Sequence, residues 1–388
     1  MNISLVKQVD ERVEERYSQS LGIVLCGRNN CYPQELRRLI KASSTGASCA
    51  GRRAKYIRGG GFVDAILQEF VCNFSGTTLG ELHKLLASDI ACYDGFAFHV
   101  NYNILGEIVS IEYVPFENCR LEEPDDAGHI AHIAVHPDWE GRRTRNGKKL
   151  QVNKSTIDFI DRFNPNPIIV QKEIANAGGI DKYKGQIYYF SNEGDSNYPS
   201  AEADRVITEL SSDEGLSNIS YRNIRNNFFP SGMFITKKGQ GNPDNSGEPS
   251  PKFQGYVSTI AALQGDTNAG KIVNIELETD EDMPEFKAFD TKNFDKEFTV
   301  TTPEVESRIY SAFGQDLFWR MRNGSIGFSG EIMNDLKREY CEQVQDEQSE
   351  LSSAYKKVLE HWKRNAVPVY STTQIKPLYQ STNNATNE

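Results

Sequence analysis

Apolar residues recur every fourth position in some stretches of the chain and every second in others, and the switches between the two periods mark its elements. After the break at Gly59-Gly60-Gly61, Phe62, Ile66, Phe70 and Phe74 stand four apart, which predicts a helix with one buried face. Thr78 and Glu81 have capping-box spacing, in which each side chain accepts a hydrogen bond from an amide at a helix start; Leu79, Leu82, Leu86 and Ile90 continue that helix on one face. After Asp94-Gly95 the period falls to two. Phe96, Phe98, Val100, Tyr102 and Ile104 alternate with Ala97, His99, Asn101 and Asn103, as in a half-buried strand. Leu105-Gly106-Glu107 turns it back into 108–114, with Val109, Ile111 and Tyr113 on one face and Ser110 and Glu112 on the other, and Pro115 ends the hairpin. A strand pair around 128–135 and a strand at 186–190 are expected next.

From Ser200, a plausible N-cap, the pattern is helical, with Val206, Ile207 and Leu210 as the buried stripe. Ser212-Asp213-Glu214 looks like a second cap, restarting a helix through Ile219, Tyr221 and Ile224 that stops before Pro230. A β-rich insert follows, with strands at 233–236, 271–278 and 285–289, a short helix at 256–263 and an exposed turn-rich loop at 237–252. Pro303 suits a first helical position, and Val305, Ile309, Phe313 and Leu317 share one face of the helix predicted over 303–319. Residues 319–328 break the pattern. Ser329 then caps the longest predicted helix, whose seam of Cys341, Val344, Leu351, Tyr355, Val358 and Trp362 is interrupted by Gln348 and calls for a partner helix or a neighbouring subunit. The polar end, 371–388, reads as disordered.

Composition narrows the functional classes. The 388 residues are 38% apolar and 25% charged, with a formal charge of −11, as expected of a folded, soluble, acidic protein of two to three domain-sized units. That sign argues against gripping DNA or RNA with the whole surface, although not against handling it. The charge is uneven: the first 60 residues carry net +6, read as a solvated arm or a contact for an acidic partner, and 276–306 carry net −8. No stretch approaches a membrane span or a signal-peptide core, so a cytoplasmic site of synthesis and assembly is expected. The seven cysteines, with no CxxC pair, read as reduced core thiols.

Candidate chemistry is sparse. Gly265-Asp266-Thr267-Asn268-Ala269-Gly270-Lys271 matches seven positions of a phosphate-binding loop, but Ile272 replaces the hydroxyl residue that holds magnesium, and a strand follows where a helix is required. His129, His132 and His136 would converge on a helix, yet their stretch is strand-like, where His129 points away from the other two. Glu122, Glu123, Asp125 and Asp126, and likewise Glu278, Asp280, Glu281 and Asp282, lack the pattern of a calcium loop and read as solvated acidic turns. No cofactor is expected.

The order of parts is an α/β body, a helix, a β-rich insert, a returning helix, a glycine-bearing loop and a long amphipathic helix. With the stretches 90–121 (IACYDGFAFHVNYNILGEIVSIEYVPFENCRL), 179–199 (GIDKYKGQIYYFSNEGDSNYP), 226–232 (NNFFPSG) and 327–340 (GFSGEIMNDLKREY), this order resembles the portal proteins of tailed bacteriophages, especially the compact ones of Bacteroidetes phages and prophages. The resemblance implies an α+β portal fold, non-enzymatic and ring-forming, usually dodecameric, at one capsid vertex of the virion. It implies a wing at 1–198, stem helices at 199–228 and 303–319, a clip at 229–302, a tunnel loop at 320–328 and a long wing helix at 329–370. No room remains for a crown. The implied partners are further copies of the chain, the major capsid protein, the terminase large subunit, a head–tail adaptor and double-stranded DNA, with no membrane. Arg320, Arg322, Asn323, Ser325 and Ile326 fall in the tunnel loop. At least one arginine is expected near the DNA backbone, or else both pair with acids on the flanking helices. Glu278, Asp280, Glu281 and Asp282 would give the clip an acidic docking surface. The competing readings are another head–tail connector or adaptor ring, and a metal-dependent hydrolase built on His132 and His136.

Overall fold

The computed structural model describes residues 15–142, 144–145, 148–149, 151–192, 197–226, 232–235, 285–288, 294–327, 329–363 and 366–379. The chain divides into two compact units, residues 1–211 with 306–388, and residues 212–305. In the first unit the strands are β1 (Glu15–Ser18), β2 (Ile23–Cys26), β3 (Gly95–Tyr102), β4 (Ile108–Val114), β5 (Cys119–Glu122) and β6 (His132–Val135). A short separate pair follows, β7 (Thr144–Arg145) and β8 (Lys148–Lys149), then β9 (Asp158–Arg162) and β10 (Gln186–Ser191). Eight of these form one open sheet in the order β1-β2-β5-β6-β9-β10-β3-β4. Every neighbouring pair is antiparallel except β9 and β10, which run parallel because helix α5 (Pro167–Ala177) carries the chain between them.

The principal core lies where Phe96, Phe98 and Val100 of β3 meet helices α2 (Ser44–Arg58), α4 (Leu79–Tyr93) and α10 (Gln345–Leu359). Helix α4 forms as its sequence predicts: the Thr78–Glu81 capping box is made in both directions, and Leu79, Leu82, Leu86 and Ile90 are all buried. The β3–β4 hairpin and β10 are also present where the alternation places them. One register detail differs. A bulge between Asn101 and Tyr102 resets the pairing, so Ser110 is buried and its Oγ accepts from Asn101 Nδ2, while Val109 is only half-buried. Strand β3 is covered on both faces, which is why Ala97 is buried as fully as Phe98.

The largest departures from the sequence reading lie at the two ends of the first unit. Residues 15–60 are not a solvated arm: they form β1, β2, α1 (Tyr32–Ala42) and α2, with Arg53 buried. The end at 371–379 is docked instead of disordered. Gly60 N donates to Lys376 O, Lys376 N to Gly61 O and Val63 N to Gln374 O, and Ile375 is buried opposite Phe62. The period-four run after Gly61 yields only one turn, α3 (Ala65–Gln68), because Val71 pairs with Thr78 and the chain reverses between them. That leaves Phe74 exposed at the tip.

Helix α6 (Ile207–Asn226) runs through 212–214 without restarting, and Asp213 is buried within it instead of capping a new start. Helix α7 (Phe294–Ala312) begins nine residues before Pro303, which sits inside it. In the second unit β11 (Gly232–Ile235) pairs antiparallel with β12 (Glu285–Ala288), as the strand pattern predicts. The strand at 271–278, the helix at 256–263, the loop at 237–252, the glycine-rich 265–271 stretch and Glu278, Asp280, Glu281 and Asp282 lie outside the described residues. The longest predicted helix is two helices, α9 (Gly330–Gln343) and α10, parted at Val344. Its seam is buried against this chain's own core, and Gln348 belongs to it by donating to the Tyr56 carbonyl. Among the described residues no helix is long and apolar enough to cross a membrane.

Two buried polar groups lock this arrangement. Arg120 has no exposed surface, and its five N–H donors meet five neutral oxygens: Asn30 Oδ1 and O, Gln34 Oε1, and the carbonyls of Glu117 and Cys119. Its guanidinium also lies 5.1 Å from the Trp139 ring centre. Replacing it with leucine orphans those acceptors, so Arg120→Leu is expected to lower unfolding free energy by about 3 kcal/mol or more in urea denaturation. Asp89, on α4, accepts from Tyr113 Oη and Phe116 N, and burial raises its carboxyl from 3.8 to about 7. Its folded value lies above its unfolded one, so the associated stabilisation is complete below about pH 4 and is lost as pH rises through about 7. Asp89→Asn should therefore gain on wild type between about pH 5 and pH 8, by on the order of a few degrees in melting temperature.

Candidate nucleic-acid interface

The predicted tunnel segment begins in the last turn of a short helix and continues as a turn. Gly314, at φ +64°, stops α7: Gly314 N donates to Ser311 O and Gln315 N to Tyr310 O, the paired bonds of a left-handed helix stop. Helix α8 (Asp316–Arg322) follows, and the same device ends it at Gly324, where Gly324 N donates to Met321 O and Ser325 N to Arg320 O. Arg320 and Arg322 thus occupy the last turn of a helix, at the negative end of its dipole, a favourable place for cations. Asn323 is the cap, Ser325 lies in the turn, and Ile326 is half-buried.

Gln315, which no sequence pattern marks, holds this helix in place. It is fully buried; its Nε2 donates to Cys49 O (2.9 Å) and Tyr340 Oη (2.8 Å), and its Oε1 accepts from Arg52 Nη1 (2.7 Å). Arg52 lies 4.6 Å over the Phe318 ring, and Phe318, Tyr340 and Tyr56 pack edge to face. The two arginines then differ. Arg322 donates to Tyr310 Oη (3.3 Å) and stands 3.8 Å from Glu306 Oε1, and that hydrogen bond, more than the carboxylate, holds its proton more firmly than usual. Arg320 is exposed and has no ion pair among the described residues. Of the two expectations, pairing with a flanking acid describes Arg322 and not Arg320.

The histidines do not converge. His132 Nδ1 is 2.6 Å from Glu122 Oε2 and its Nε2 3.2 Å from Asp161 Oδ1, whereas His136 is buried, accepts from Asp138 N and packs against Trp139. His129 is exposed. Among the described residues no three His, Cys, Asp or Glu side chains are grouped to hold a metal. All seven cysteines are free, and burial pushes Cys26, Cys72 and Cys119 up to about 12, far from a reactive thiolate.

No protein-family model matches the sequence, and no curated protein matches it. The fold is similar to a chain in the virion of a native gene transfer agent particle, at 17% identity and TM-score 0.46 over 84% of this chain and 81% of that one. It is also similar to a chain in the neck of an empty gene transfer agent particle, at 15% identity and TM-score 0.47 over 88% and 85%. A third likeness is to an HK97-family phage portal protein from Corynebacterium diphtheriae, at 11% identity and TM-score 0.32 over 76% and 77%.

The geometry separates the anchor from the exposed face. Gln315→Leu is expected to cost about 2–4 kcal/mol in chemical denaturation, because it removes three hydrogen bonds, two of them to buried groups. Arg320→Ala and Arg322→Ala, both on exposed side chains, should each move the melting temperature by less than about 2 °C.

Proposed function

We propose that this chain is a portal protein of the compact phage type: a subunit of the ring at the unique capsid vertex, a conduit for double-stranded DNA during packaging and ejection, and a platform for the terminase large subunit and a head–tail adaptor. One observation carries the reading. A second compact unit, 212–305, holds most of α6, the β11–β12 pair and the first part of α7, and the chain continues from α7 into α8 and the Gly324 turn. That is the order of wing, stem, clip, stem and tunnel. In this reading the wing is 1–198, α6 and α7 serve the stem regions 199–228 and 303–319, and 229–302 is the clip. Residues 320–328 face the tunnel and 329–370 return to the wing, with 371–388 as the tail. The mature site is the virion, with assembly in the host cytoplasm and contacts to the major capsid protein.

The charge suits a conduit. A duplex must slide, and a chain of net −11 repels phosphate instead of retaining it. Against that background a ring of single exposed cations can touch the backbone briefly without arresting it. Arg320 is assigned that contact, and Arg322, engaged by Tyr310 and Glu306, the support of the turn.

The purified full-length protein is expected to form particles with a central hole in negative stain, of roughly 520 kDa if twelve 43.7 kDa copies assemble. A stable monomer at high concentration and moderate salt would overturn the portal reading. Rings that support no DNA packaging would point to an adaptor. In a packaging assay Arg320→Glu should reduce DNA uptake or retention while leaving ring formation intact, and should do so more than Arg322→Ala.

A further inference from the structure

A cleft of about 730 Å³ lies in the first unit between helices α9 and α10 and the docked end of the chain. One wall is helical, with Gln345, Ser349, Ser352 and Ser353 offering amide and hydroxyl groups without charge. The other is the extended strap 374–379, where Ile375, Pro377 and Tyr379 line the cleft. Ser352 Oγ, 3.1 Å from Thr373 Oγ1, joins the two walls. The strap is held by strand pairing along one edge: Gln374 O, Lys376 N and Lys376 O bond to Val63, Gly61 and Gly60. Ile375, between them, therefore directs its own N–H and C=O to the opposite edge, and neither has a partner among the described residues. Ile375 is buried, and an unused pair of strand groups at such a residue is costly.

Charge decides what kind of segment fits. Glu342 lines the cleft, and Glu339, Asp346 and Glu350 stand exposed beside it, three or four positions apart, with no ion pair among the described residues. Like charges at that spacing repel one another along a helix. The cations nearby are engaged elsewhere: Arg338 is 3.0 Å from Asp335, Lys337 lies 4.6 Å over the Tyr379 ring, and the Lys376 side chain runs beside Gly60.

We propose that this cleft accepts an extended, lysine- or arginine-rich segment of a different protein, added as a strand to the free edge at Ile375 with its cations on the α9–α10 acids. The inference goes beyond the ring reading and does not depend on it. From Gln345 to Ser353 the helical wall is about 12 Å long, room for about four extended residues. Strand addition takes affinity from the main chain and selectivity from side chains on alternate sides, so cations at every second position meet both demands. Another copy of this chain, with net charge −11, is the less favoured source, and a duplex would meet acids instead of cations. The charge contribution should fade as salt rises.

The probe is a fluorescent eight-residue peptide of alternating lysine and valine, read by anisotropy against the full-length protein, with melting temperature as a check on folding. Because the main chain supplies the affinity, no particular sequence is required. The peptide should bind saturably. Its Kd should rise about tenfold or more in Ser349→Trp, which fills the cleft, and in the triple variant Glu342→Lys, Asp346→Lys, Glu350→Lys. A glutamate–valine counterpart, and the lysine peptide methylated on all its backbone nitrogens, should also bind at least about tenfold more weakly. The proposal is wrong if the peptide does not bind, if Ser349→Trp binds it like wild type, or if the methylated peptide binds as well as its parent, since charge alone would then explain the attraction. Binding that appears only after residues 380–388 are deleted would make this chain's own end the occupant and overturn it. So would loss of rings in folded Ser349→Trp where wild type forms them, which would assign the cleft to a neighbouring copy.

Discussion

The first unit depends on one guanidinium that joins parts of the chain almost 300 residues apart. Arg53, on α2 and with a side chain only 9% exposed, lies 2.7 Å from Glu347, 3.2 Å from Glu202 and 3.5 Å from Asp94. Those carboxylates come from the start of α10, the turn leading into α6 and the left-handed stop of α4. Three acids around one cation attract it strongly and repel each other, so the arrangement holds only with Arg53 present. Burial raises the Glu347 carboxyl and Arg53 opposes the rise, the balance expected of an ion pair partly removed from water. The cation therefore decides where α10 lies over α2, and that placement brings the Leu351, Tyr355 and Val358 seam onto the core.

Its neighbour extends the constraint to the candidate interface. Arg52 donates to Gln315 and covers Phe318, so two adjacent arginines fix the start of α10 in one direction and α8 in the other. The position of Arg320 is a consequence of packing some distance from it. Glycine adds precision: a side chain on Gly46 would collide with Leu210, so α2 and the start of α6 meet closely only because that position is bare.

What was legible in the sequence were the features whose cause is local. The Thr78–Glu81 box, the β3–β4 alternation, the Ser329 cap and the strands β11 and β12 rest on spacing within a few residues, and spacing is what a sequence displays. The misread segments owe their structure to distant partners. Residues 15–60 look like a solvated basic arm because cations usually face water, yet Arg53 finds Glu347 and Arg52 finds Gln315 across more than 260 positions. Residues 371–379 have the composition of a disordered tail, but their backbone amides and carbonyls pair with 60–63, an interaction blind to side-chain polarity. At the candidate site the break around Gly324 was visible, whereas Gly314 was read through as part of one helix over 303–319. That they are helix stops enclosing a seven-residue helix was not, since α8 is too short to show a period.

Net charge, the first quantity a sequence offers, turns out to be the least informative about contact. A value of −11 describes the far field, where it keeps a polyanion from sticking. Within a Debye length of about 8 Å at physiological salt, the local arrangement governs instead. There the first unit presents a row of exposed acids along α9 and α10 and an exposed Arg320 at the end of α8. In the proposed conduit, sparse charge along the path of a duplex is what sliding requires. Concentrating cations along such a path would turn sliding into binding, because each added phosphate contact raises affinity by counterion release.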